Sequence, residues 1–171
     1  NQHEGLSFLC DYRPFVDPND VEETRLYGYQ ETNWPVRTLI REFFRDYKGK
    51  LTFHNASFDI RSLVHALWMD NWLDYRGLLE GLDIMCRDFD DTKIITYLAT
   101  NSTAGNELGL KKQAHEYTGN YAQDDDDIKD IRRIPPKELL EYNLVDCLAT
   151  WFVKNKRYPE MVRDNQEGLY H

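Results

Sequence analysis

The segment Leu51-Thr52-Phe53-His54-Asn55-Ala56-Ser57-Phe58-Asp59-Ile60 decides the fold class. Leu51 to Phe53 is short and β-prone, the residues from His54 to Ser57 are small or polar, and Ile60, Leu63, Val64, Leu67 and Trp68 then recur at helical spacing. Strand, tight turn and helix follow one another directly. Asp59 falls where the strand hands over to the helix, so its carboxylate is expected at a sheet edge instead of in the core.

Upstream of this segment, Thr32 or Asn33 can cap a helix with Pro35 in its first turn and Val36, Leu39, Ile40, Phe43, Phe44 and Tyr47 along one face. Gly49 stops it. Further back, Arg25 to Gln30 reads as a short strand, the stretch from Asp11 to Asp20 with Pro14 and Pro18 as a turn-rich loop, and Leu6 to Cys10 as another strand. Downstream, Gly81 to Cys86 reads as a buried strand, and Asp91-Thr92 opens a helix carrying Ile94, Ile95 and Leu98. A short helix runs from about Leu108 to Thr118, before Gly119. The carboxylates from Asp124 to Asp127 repel one another and read as an exposed loop. Pro135 and Pro136 open the last long helix, whose apolar face is Leu139, Leu140, Leu148, Ala149 and Phe152. No internal repeat is visible. The alternation of strands and helices predicts an α/β class with one mixed sheet flanked by helices.

Composition bounds what such a fold can do. With 171 residues, 41% hydrophobic and 13% aromatic, the chain can build a single globular core. Charge interrupts every apolar stretch within a few residues, so neither a signal peptide nor a membrane span is expected. Cys10, Cys86 and Cys147 lie far apart without a CxxC pair, which suits reduced thiols in a cytoplasmic protein. A net charge of −9 excludes the basic footprint of a protein that coats duplex DNA. It leaves room for a nuclease whose carboxylates hold divalent ions against a phosphate. The chain starts without Met and enters strand-like sequence almost at once, which is expected of an excerpt from a longer protein.

Chemistry concentrates in two places. Asn55 precedes Asp59 in the same turn and offers an amide able to bond a phosphate or sugar oxygen. Taken alone, Asp59 reads as a helix N-cap, a common role of Asp. In the last helix, Tyr142 and Asp146 stand one turn apart on one face, so a phenol and a carboxylate address the same point. Leu139, Leu140, Val145 and Leu148 press that stretch inward, where a carboxylate is costly to bury without a cation or donors beside it. His54 adjoins the first place, but no Ser or Cys nucleophile accompanies it, and His3, His65, His115 and His171 are scattered. Packing or solvent contact is the expected role of each.

Together, Asn55-Ala56-Ser57-Phe58-Asp59 and Tyr142-Asn143-Leu144-Val145-Asp146 resemble the second and third exonuclease motifs of the DEDD superfamily. With Phe53-His54-Asn55 ahead of the first acid and Asp91-Thr92 opening a helix, the stretch from about Leu6 to Thr150 looks like the proofreading domain of bacteriophage family A DNA polymerases. The resemblance implies an RNase H-like fold over residues 1–155 and a tail, 156–171, whose Asn165 to Tyr170 leads toward a polymerase domain of the same parent chain. It implies 3′ to 5′ trimming of a single-stranded DNA end with two Mg²⁺ or Mn²⁺ ions about 3.5–4 Å apart. By the same resemblance Asp59 would ligate one ion and Asp146 the other, and Tyr142 would orient the attacking water. Asn55 would contact the terminal nucleotide with His54 beside it, and Phe58 would pack beneath the site. A phage-encoded protein of this kind works in the host cytoplasm.

The family's first motif, Asp-x-Glu on an opening strand, would precede Leu6, so the sheet is expected to lack its first strand in this chain. Asp20-Val21-Glu22 matches the bare pattern but follows Pro18 and Asn19 instead of an apolar run, and reads as loop. Two other functions fit the same residues. One is an RNA-trimming nuclease of the same superfamily, because such a site reads backbone more than base. The other is a non-catalytic RNase H-like module that binds DNA or a partner.

Overall fold

A computed structural model describes residues 3–8, 34–100, 107–118 and 135–170. In chain order its elements are helix α1 (Trp34–Asp46), strand β1 (Leu51–Phe53), α2 (Ala56–Leu67), α3 (Tyr75–Met85), strand β2 (Phe89–Asp91), α4 (Thr92–Thr100), α5 (Leu110–Gln113), α6 (His115–Thr118), α7 (Pro136–Arg163) and a 3-10 turn (Glu167–Leu169). β1 and β2 pair as a two-stranded parallel sheet, so the class is α/β and mostly helical. The chain forms two compact units, and it crosses between them after residues 51, 56 and 89.

The unit that holds α1, most of α2, and α3 is organised around Arg37, whose side chain is 0% exposed. Its guanidinium donates to the carbonyls of Ala66 (3.2 Å) and Met69 (2.7 Å) at the end of α2, and to Asp70 (2.7 Å). A helix leaves its last carbonyls without intrahelical donors, and a buried cation placed there satisfies them while opposing the negative end of the dipole. Asp74 then caps α3, accepting from the N–H groups of Gly77 (2.9 Å) and Asp70 (3.0 Å). These bonds hold its carboxyl below the usual carboxylate range. Arg41 and Arg45 of α1 both reach Glu80 of α3.

The strand expected at Gly81 to Cys86 is helix. Gly77 and Gly81 lie one turn apart on the face of α3 that meets α2. A Cβ on Gly81 would come within 2.8 Å of Val64, and one on Gly77 within 2.3 Å of the Trp68 carbonyl oxygen. Gly77, Gly81, Ile84 and Met85 are buried together, which is a helical period. The apolar run looked like a strand because it is the C-terminal end of a helix that Asp74 starts well upstream.

The other unit is built on α7, the longest element, with Ala149, Val153 and Ala114 as a small core that Leu110, Tyr117 and Phe152 surround. Tyr117 and Phe152 stack with ring centroids 5.0 Å apart. A Schellman motif ends α7: Asn165 adopts φ 55°, its N–H bonds Val162, and the Gln166 N–H bonds Met161, both at 3.0 Å. Of the strand expected from Leu6 to Cys10, residues 6–8 carry none, with Leu6 82% and Phe8 60% exposed, and the other two lie outside the described residues. α7 runs unbroken from Pro136 to Arg163, and Tyr170 belongs to the same unit.

Residues 9–33 and 119–134 lie outside the described residues, and with them Cys10, Asp20-Val21-Glu22, the Arg25 to Gln30 expectation and the Asp124 to Asp127 run. Cys86 and Cys147 form no disulfide. No described helix is long and apolar enough to cross a membrane.

Candidate functional site

Strand β1 ends at Phe53, and Asn55 makes the turn into α2 with φ 68°. This left-handed conformation is open to Asn because its short side chain finds local partners. Here the Asn55 side-chain oxygen accepts from the Lys93 ammonium at 3.4 Å. The turn is held by Asp91, whose carboxylate accepts from the N–H groups of Asn55, Ala56 and Lys93, each at 2.9 Å. One buried acid thus terminates two helices, α2 by reaching across and α4 from its own N-terminus. Asp59 is therefore not the N-cap of α2. It sits in the first turn, half-buried.

His54 is fixed alongside. Its Nδ1 lies 2.9 Å from the Thr92 hydroxyl, which donates its proton to the Phe53 carbonyl at 3.0 Å. With that proton committed, the hydroxyl oxygen accepts from Nδ1–H. Burial lowers the His54 pKa below the ordinary value, with Lys93 adding to the effect and the Asp91 charge and the Leu108 backbone opposing it. A neutral ring follows at pH 7.

Behind Asp91 lies a second layer that the sequence did not reveal. The Asp91 N–H donates to the Tyr170 hydroxyl at 2.9 Å, and that hydroxyl donates to Asp90 at 3.1 Å. Asp90, 2% exposed, pairs with Lys154 of α7 at 2.6 Å, and Lys154 also bonds the Thr52 hydroxyl of β1 at 3.3 Å. Burial above all, and then the neighbouring carboxylates, push the Tyr170 phenol well up, so it stays a donor. The sequence marks Asp91-Thr92 as a helix start, but nothing in it marks Lys154 or Tyr170 as partners of Asp90 and Asp91.

The remaining expected residues are placed as follows. Tyr142 and Asp146 are both half-buried on one face of α7, where the Lys111 ammonium lies 4.8 Å from the centre of the Tyr142 ring. Phe58 is 67% exposed, because its position in the first turn of α2 faces away from buried Ala56 and Ile60. Carboxylate oxygens such as those of Asp59 and Asp146 suit Mg²⁺ or Mn²⁺. Among the described residues, no three His, Cys, Asp or Glu side chains come together. The donor chemistry fits an ion held by one or two carboxylates with substrate oxygens completing its shell.

Compared with family models, curated proteins and solved structures, the chain matches none.

Proposed function

We propose that the chain is the 3′ to 5′ proofreading exonuclease part of a DNA polymerase, built on an RNase H-like fold. The observation that carries this reading is the placement of Tyr142 and Asp146, half-buried one turn apart on α7, in a chain where Asp59 stands in the first turn of the helix that follows β1. A phenol and a carboxylate one helical turn apart can address a single water molecule. Asp91 caps α2, so Asp59 stands in the first helical turn without being its N-cap, at the place where the second exonuclease motif carries its acid. His54 and Asn55 border the strand end, where a terminal nucleotide would be read through sugar and phosphate oxygens. The reading requires divalent ions, for which Asp59 and Asp146 supply oxygen ligands.

The test is digestion by the intact protein with Mg²⁺, using single-stranded DNA and single-stranded RNA labelled at the 5′ end. We expect a ladder of DNA shortened from the 3′ end. No shortening, or shortening from the 5′ end, would overturn the proposal. Faster shortening of RNA would assign the chain to RNA trimming instead.

A further inference from the structure

The left-handed Asn55 turn is costly by itself, by about 1 kcal/mol for a residue other than glycine, so something must hold it. Three consecutive residues restrain it: Asp91 takes the N–H groups of Asn55 and Ala56, Thr92 holds both the Phe53 carbonyl and the His54 ring, and Lys93 bonds the Asn55 side-chain oxygen. Their own position is set by a chain of polar contacts that leaves β2 and returns to β1. It runs from the Asp91 N–H through the Tyr170 hydroxyl to Asp90, on to Lys154, and from Lys154 to Thr52. All of these groups belong to one compact unit. Tyr170 stands 79 positions from Asp91 in sequence, so this is a tertiary restraint and not local capping.

We propose that Asp91 and Tyr170 are positioning residues, anchored by Asp90 and Lys154, that hold the His54-Asn55 turn in the conformation that meets substrate. The substrate role of the turn rests on the exonuclease reading above; the restraint does not. Neither residue touches the reacting atoms. Tyr170 acts through Asp91, and Asp91 acts through the backbone of Asn55 and Ala56.

Tyr170→Phe tests this in the intact protein, because it removes one hydroxyl and keeps the ring. We expect amide hydrogen exchange at Asn55, Ala56 and Lys93 to quicken about tenfold, while exchange at Val153 in the α7 core stays as it was. With single-stranded DNA as substrate, KM should rise several-fold and kcat change little, since the turn binds the end and does not carry out the hydrolysis. Asp91→Asn should give the same split with a larger exchange effect. Unchanged exchange at the three amides would overturn the proposal, as would an equal rise at Val153, which marks general loosening. A local rise in exchange without a change in KM would overturn it too. If the wild-type protein trims no DNA, or Asp146→Ala trims it undiminished, the exonuclease reading falls by itself. The exchange data then decide the restraint alone, a local rise supporting it and its absence refuting it.

Discussion

Arg37 in one unit and Asp90 in the other are both removed from water, at 0% and 2% exposure, and the partners they find differ in kind. Arg37 meets two backbone carbonyls and an exposed carboxylate, so its charge serves the end of a helix. Asp90 meets a lysine and a phenol, each of which makes a second bond into the strands beside the Asn55 turn. The difference separates two uses of a costly buried charge. Arg37 closes an account within its own helix pair, whereas the Asp90 cluster passes a constraint onward to His54 and Asn55.

The sharpest way to break this comparison is to strand one member of each set. Lys154→Met leaves Asp90 buried without its cation, and we expect a loss of about 3–5 kcal/mol in urea unfolding. Adding Asp90→Asn to the same chain should restore most of that, because the cost lies in the uncompensated charge. Recovery of nothing would mean that Lys154 acts through packing instead. Arg37→Met is expected to cost somewhat less, about 2–4 kcal/mol, since it strands neutral carbonyls and Asp70 is exposed to solvent. Arg37→Lys should recover only part, because an ammonium cannot reach the Ala66 and Met69 carbonyls and Asp70 with one planar fork. Equal stability of the Lys variant would refute that geometry.

A smaller effect probes packing in the same unit as Arg37. Gly77→Ala would bring a methyl group to within 2.3 Å of the Trp68 carbonyl oxygen. We expect a destabilisation of about 1–3 kcal/mol by chemical denaturation, in spite of the better helix propensity of alanine. A stabilised variant would show that α3 does not approach the end of α2 so closely.

The smallest effect concerns protons. Burial holds His54 in one unit and His65 in the other below the ordinary histidine pKa of 6.5. The unfolded chain therefore binds protons that the folded chain does not. This contribution is complete above the unfolded value and is lost as pH falls through the folded one. We expect Tm to drop between about pH 7.5 and about pH 5.5, and His54→Gln to flatten that drop by about 1–2 °C. A drop of the same size in the variant would remove His54 from the explanation.

What could be read in sequence was whatever local periodicity controls. The helices α1, α2, α4 and α7 follow from apolar spacing with Pro35, Thr92 and Pro136 near their starts, and β1 from the β-prone run before His54. Gly81 to Cys86 was misread because a short apolar run looks alike in a strand and at the end of a helix. Only contact with Val64 and Trp68 shows why Gly77 and Gly81 recur one turn apart. In the candidate site, the spacing of Tyr142 and Asp146 and the place of Asp59 in a first turn were legible. The exposure of Phe58 was not, since an aromatic residue beside a motif acid carries no mark of which way it faces. Least legible was the Asp91 carboxylate, which reaches back 36 positions to the Asn55 N–H, and the Tyr170 hydroxyl that steadies it. Bonds of that range are set by how elements pack, and no spacing in the chain encodes them.

The most direct test of the proposed activity is 3′ end trimming of single-stranded DNA by the intact protein with Mg²⁺, comparing Asp59→Ala, Asp146→Ala and the double variant with wild type. We expect each single variant to lose at least about a hundredfold in rate, and the double variant to be little worse than the weaker single one, as for groups that act together in one reaction. Trimming by either single variant within about twofold of wild type would contradict the exonuclease assignment.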